Sequence, residues 1–84
     1  MTAIFQIEDI FQIPGQGTVV TGVVKMGVIK KGMKANINGI ETEITKIQRN
    51  YQDVEEANVD ESCGLLLRGI SKEDLKGVTV IHFE

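Results

Sequence analysis

Apolar and polar residues alternate with a period of two along most of this chain, a rhythm that predicts strands rather than helices. Phe5, Ile7, Phe11 and Ile13 share one parity, with Gln6, Glu8 and Gln12 on the other. That pattern predicts a half-buried strand of about ten residues. A bend is expected near Asp9-Ile10, where the alternation is locally disturbed. Pro14-Gly15 ends the segment, and a second strand should run from Thr18 to Met26. Its centre is apolar on both parities, as in a strand inside a closed sheet. Gly27 and Gly32 then bracket a short connection carrying Lys30 and Lys31.

Met33, Ala35 and Ile37 share one face, and Ile40, Thr42 and Ile44 share another, with Asn38-Gly39 between them. Asn-Gly between alternating segments signals a hairpin, because both central residues of a type I′ turn need positive φ. Ile47 breaks the parity of Ile40 to Ile44, which places a bulge near Thr45-Lys46. Residues 50–61 are polar and acidic apart from Val54, Ala57 and Val59, and read as a solvated loop or long hairpin tip. Cys63 to Arg68 should be a buried strand. Ser71-Lys72-Glu73-Asp74 fits a capping box, so a short helical turn is expected near 71–76, closed by Gly77. Val78 to Glu84 is the last expected strand. About six strands in so short a chain bury their edges best by closing into a barrel, so the fold expected is all-β.

The stretch Gly15-Gln16-Gly17-Thr18-Val19-Val20-Thr21-Gly22 looks at first like a phosphate cradle. A Walker loop, however, ends in Gly-Lys-Ser/Thr and opens a helix, whereas Gly22 leads into Val23 and a β-branched run. A dinucleotide fingerprint would need glycine where Val20 stands. The stretch therefore reads as a tight turn between two strands.

At 84 residues the chain has the length of one small domain. It buries about 60–65% of its unfolded surface, enough for one core without a deep enzyme cleft. The net charge is −3 and unevenly spread: residues 1–50 carry six Lys/Arg against four Asp/Glu, and residues 51–84 carry three against eight. A general polyanion binder is basic overall, so any nucleic-acid contact must be local. The aromatic content of 5% is low for a base-stacking platform. A single cysteine, Cys63, lies in an apolar run and reads as a buried, inert thiol. No apolar run approaches membrane-spanning length, and no leader pattern is present, so a cytoplasmic protein is expected.

No catalytic constellation is visible. Ser62 and Ser71 lack a histidine partner on sequence grounds, and Glu55-Glu56 sit in a polar segment without the burial that raises a carboxylate's pKa. His82 has no second ligand at metal spacing. The expectation is no enzyme, no cofactor and no metal.

Several separated motifs carry a family resemblance. They are Phe11-x-Ile13-x-Gly15-x-Gly17-Thr18-Val19-Val20-Thr21-Gly22, Gly27-Val28-Ile29-Lys30-x-Gly32, Gly64-Leu65-Leu66-Leu67-Arg68-Gly69-Ile70, and the closing Asp74, Leu75, Gly77 and Val80. In this order and spacing they resemble domain 2 of the translational GTPases, of the elongation factor Tu type, from about Ala3 to Glu84. The resemblance implies a six-stranded closed Greek-key barrel as a single domain over 1–84. The GTPase domain and third domain of that family have no counterpart in the sequence, so GTP is not expected to be bound by this chain itself.

In that family the barrel receives the terminal adenosine of aminoacyl-tRNA in a shallow pocket. Carried over by matching motifs, the apolar walls fall at Ile13, Val19 and Leu66. A glutamate of the family falls at Gln48 and an arginine at Tyr51; Gln48 keeps hydrogen-bonding capacity, and Tyr51 could stack on a base. Two further arginines of the family fall at Val23 and Met26, which removes charge from the site. Lys25, Lys30, Lys31 and Lys34 are a candidate basic patch. The resemblance implies a non-catalytic binding module that contacts tRNA or the ribosome. The alternative is a protein-interaction module that keeps the barrel without RNA and offers its acidic 53–61 segment to a basic protein.

Overall fold

The alternating segments fold as strands, and their pairing closes on itself. In the computed structural model, which describes residues 2–84, the order is β1 (Ala3–Ile13), β2 (Gly17–Met26), β3 (Ile29–Lys30), β4 (Lys34–Ile37), β5 (Ile40–Arg49), β6 (Gln52–Val54), β7 (Glu56–Ala57), β8 (Ser62–Arg68), a 3-10 turn (Glu73–Leu75) and β9 (Val80–Phe83). Neighbours run β4-β5-β8-β2-β1-β9. Lys34 and Glu84 exchange both backbone hydrogen bonds, each 2.8 Å. That exchange joins the β9 edge to the β4 edge and nearly closes a six-stranded antiparallel Greek-key barrel. Few unpaired edges remain.

Phe5, Val20, Val24, Ile44, Ile47, Leu65, Leu67, Ile81 and Phe83 fill the interior. Two threonines share it. The Thr18 and Thr42 hydroxyls donate to the Ile70 and Arg68 carbonyls, each at 2.7 Å, so neither is left unpaired away from water.

Local signals in the chain translate directly. Asn38 and Gly39 take φ of 52° and 88° and turn β4 into β5 with Ile37 opposite Ile40. The β5–β8 register slips between Ile44 and Lys46, so Thr45 is the extra residue and Ile44 and Ile47 both face inward. The Ser71 hydroxyl and backbone N–H meet Asp74 Oδ2 at 2.9 and 3.0 Å, while the Asp74 N–H donates back to the hydroxyl. This reciprocal cap holds the turn at Glu73–Leu75.

Three expectations need correction. The β1–β2 register slips between Ile7 and Asp9, and this bulge reverses the strand's parity. Ile10 packs on the core opposite Val20, whereas Phe11 and Ile13 reach the outer face, 53% and 37% exposed. Residues 50–61 are not simply a loop. β6 extends the sheet beside β5, and β7 pairs with β3 inside what reads as a bare connection, burying Ile29 and Ala57 completely. The last strand starts at Val80, two residues later than the pattern places it. No helix among the described residues is long and apolar enough to cross a membrane.

Candidate functional site

The parity reversal in β1 builds the site. Because Phe11 and Ile13 turn outward, the outer face of β1, β2, β8 and β5 becomes apolar at one end of the barrel. Cross-strand register then sets two rows. Val19, Leu66 and Lys46 stand opposite one another across β2, β8 and β5, and Thr21, Gly64 and Gln48 form the next row.

Ile13, Val19, Leu66 and Gln48 line one open cleft of about 230 Å³ with Gln16, Lys46 and Gly64. The first three supply an apolar wall. Gln16, Lys46 and Gln48 supply polar atoms, and Gly64 contributes only backbone. The volume lies below the roughly 300–1,000 Å³ of sites for whole drug-sized molecules. It suits one flat ring or one side chain.

Tyr51 stands apart from this cleft. It sits with Asn50 in the turn between β5 and β6, at φ of 66° and 51°, and its side chain is fully exposed. Tyr51 borders a neighbouring basin of about 320 Å³ that shares Gln48 and Gly64 with the cleft and adds Glu8, Thr21 and Cys63. The two depressions are contiguous through those shared residues.

The polar rim is tied to β6. Gln48 Nε2 donates to Asp53 Oδ1 at 3.1 Å, and Lys46 Nζ lies 3.7 Å from the same oxygen. Lys46 is the single cation lining the cleft among the described residues. Val23 and Met26 bring no charge; Met26 is 54% exposed opposite Ile4.

The four lysines are interleaved with acids. Lys30 stands opposite Glu56, the Lys31 backbone N–H donates to the Glu55 carbonyl, and Lys34 lies 3.9 Å from Glu41; Lys25 is exposed at the end of β2. Within the acidic segment, Asp53 meets Lys46 and Glu61 meets Arg49 at 3.0 Å. His82 faces outward beside Lys34, Glu41 and Glu84 in a shallow, mixed-charge depression. No group of metal-ligating side chains occurs among the described residues. Cys63 is buried, and burial pushes its thiol from 9.0 up to about 11, with Arg49 opposing and Glu61 adding to the rise.

Sequence reading alone did not single out Gln16, Lys46, Gly64 or the bond that Gln48 donates to Asp53. Register was the signal that would have found them: the Thr45 bulge makes Lys46, not Thr45, the cross-strand partner of Leu66.

Comparison with known proteins agrees with this architecture. The family described as elongation factor Tu domain 2 matches residues 17–81. Translation elongation factor SelB from Methanococcus maripaludis, in its apo form, superposes with a TM-score of 0.86 at 24% identity, over 98% of this chain and 18% of that one. A bacterial selenocysteine-specific elongation factor, EF-Sec, superposes at 0.80 and 25% identity, over 94% of this chain and 14% of that one. The chain thus spans less than a fifth of either relative's length.

Proposed function

Because the chain belongs to the elongation factor Tu domain 2 family, we propose that it is a non-catalytic binding module of the translation machinery that takes the terminal nucleoside of an RNA, such as a tRNA 3′ end, into the cleft beside Leu66. One observation carries this reading. Ile13, Val19, Gln48 and Leu66 come from four different strands and line a single open cleft. Ordinary barrel filling would have turned these apolar side chains inward. Three apolar walls with a glutamine at the rim suit a base or ribose, held by burial and one or two hydrogen bonds. Membership of a family described by elongation factor Tu supports an RNA ligand by analogy. The module would work in the cytoplasm, and these 84 residues would not bind GTP by themselves.

Titration of labelled tRNA with an intact 3′ CCA end tests the proposal. Binding confined to the cleft should change little between about 50 mM and about 200 mM salt, since salt dependence comes from phosphate contacts to cations. Lys46 is already shared with Asp53. No binding even at the lower salt would overturn the reading.

A second reading has its own observation. Glu55, Glu56 and Asp60 have no ion-pair partner among the described residues, whereas Asp53 and Glu61 do. A basic protein segment would complement them. Co-purification with and without nuclease separates the two readings: a partner that persists after nuclease is held by protein contact.

A further inference from the structure

We infer that Asp53 is a positioning residue: it turns the Gln48 amide and holds Lys46 so that the cleft selects a neutral, hydrogen-bond-donating end over one that carries a phosphate. This rests on the reading that the cleft takes an RNA end, and it assigns that end's chemistry.

The geometry is specific. Gln48 and Asp53 are cross-strand partners on β5 and β6. An ionised carboxylate only accepts hydrogen bonds, so the 3.1 Å contact fixes the Gln48 NH₂ group toward Asp53. Gln48 lines the cleft and Asp53 does not. The amide therefore commits one of its two N–H donors to Asp53, and its Oε1 makes no hydrogen bond among the described residues. The same Asp53 oxygen lies 3.7 Å from Lys46 Nζ, the one cation lining the cleft among the described residues.

One carboxylate thus sets two properties of the site. It leaves the Gln48 Oε1 acceptor without a partner among the described residues, and it offsets the charge that would attract an anion. A ring bearing an amino group, or a free ribose hydroxyl, can donate to Gln48 Oε1. A terminal phosphate replaces that hydroxyl donor with about two negative charges and meets a cation already partnered by Asp53.

The experiment uses two short RNAs of one sequence ending in CCA, one with a 3′-hydroxyl and one with a 3′-phosphate, against the wild-type chain, D53N and D53A. The wild type should prefer the hydroxyl end. D53N frees Lys46 and lets Gln48 present either face, so the preference should fall by about two- to five-fold, the scale of an exposed ion pair. An unchanged ratio overturns the inference.

Two arms need no RNA. In D53A the Gln48 side-chain amide resonance should move toward those of the exposed Gln6 and Gln52. Inorganic phosphate should perturb Lys46 and Gln48 more in D53N than in the wild type. If neither RNA binds any form yet both arms behave as stated, the RNA reading falls and the role of Asp53 stands. If both arms are flat, the role of Asp53 falls whatever the RNAs do.

Discussion

Gly22 lies against the backbone carbonyl of Gln6, so close that a β-carbon on Gly22 could not be placed without moving one strand. The contact falls where β1 passes β2 just before the bulge, with Ile7 opposite Gly22 in register. It ties the last glycine of the Gly15–Gly22 stretch to the barrel wall, and so to the bulge that turns Phe11 and Ile13 outward.

Gly22→Ala should therefore destabilise the fold by about 1–3 kcal/mol, the usual cost of overpacking. Gly64→Ala is the matched control in the neighbouring strand. Its β-carbon would meet only Thr21 Cγ2 and Val19 Cγ1, at 3.7 and 3.8 Å. Urea unfolding midpoints of the two variants should separate clearly.

Gly64→Ala also tests the site. Replacing a strand-interior glycine should leave stability unchanged or raise it by about 0.5–1 kcal/mol. The added methyl enters the boundary that the cleft and the Tyr51 basin share. The expected result is weaker binding of a CCA-ended RNA in a titration, with no loss of fold in the urea curve.

Thr18 is buried, and its hydroxyl reaches across the molecule to the Ile70 carbonyl at 2.7 Å. Thr18→Val keeps the shape and leaves that carbonyl without its partner, at a cost of about 1–3 kcal/mol. Thr18→Ser keeps the donor. Denaturant unfolding should place the serine variant nearer the wild type, in spite of its missing methyl.

Cys63 gives stability a pH dependence at the alkaline end. Its thiol titrates near 11 in the folded chain against 9.0 as a free group, chiefly because burial disfavours the thiolate. The folded state holds this proton more tightly, so the contribution is intact below 9.0 and fades as pH rises toward about 11. Urea midpoints across that window should fall less steeply for Cys63→Val than for the wild type. A thiol reagent should react with the native chain slowly and with the unfolded chain fast.

Asp74 acts at the acid end with the opposite sign. The Ser71 backbone N–H and hydroxyl hold its carboxyl below the ordinary 3.8. Stability from this cap is present above the unfolded value and is lost as pH falls through the folded one. Ser71→Ala removes the hydroxyl but keeps the backbone N–H, the larger cause, so it should raise the Asp74 titration part of the way, read by carbon chemical shift, and lessen that acid sensitivity.

Features written in neighbouring residues were legible in advance. Asn38-Gly39 specifies its own turn, and Ser71 finds Asp74 three residues on. Ile47 falling out of step with Ile44 betrays the bulge at Thr45. The β1 bulge was harder to read, because Phe5, Ile7, Phe11 and Ile13 keep one parity on paper while Glu8 shifts the phase between them. Ala57 was illegible: an alanine among acids looks solvated until Ile29, far back in the chain, arrives opposite it.

The sequence by itself determined an all-β chain of about six main strands with their turns, since period-two patterning and turn chemistry act over a few residues. The family resemblance, not the pattern, picked out the apolar set at Ile13, Val19 and Leu66. Only the tertiary structure decided that these three face outward together with Gln48. Only it decided that Tyr51 stands in the next basin, and that Asp53 reaches back to the rim. Those outcomes depend on the register between strands, where a slip of one residue moves every side chain to the other face.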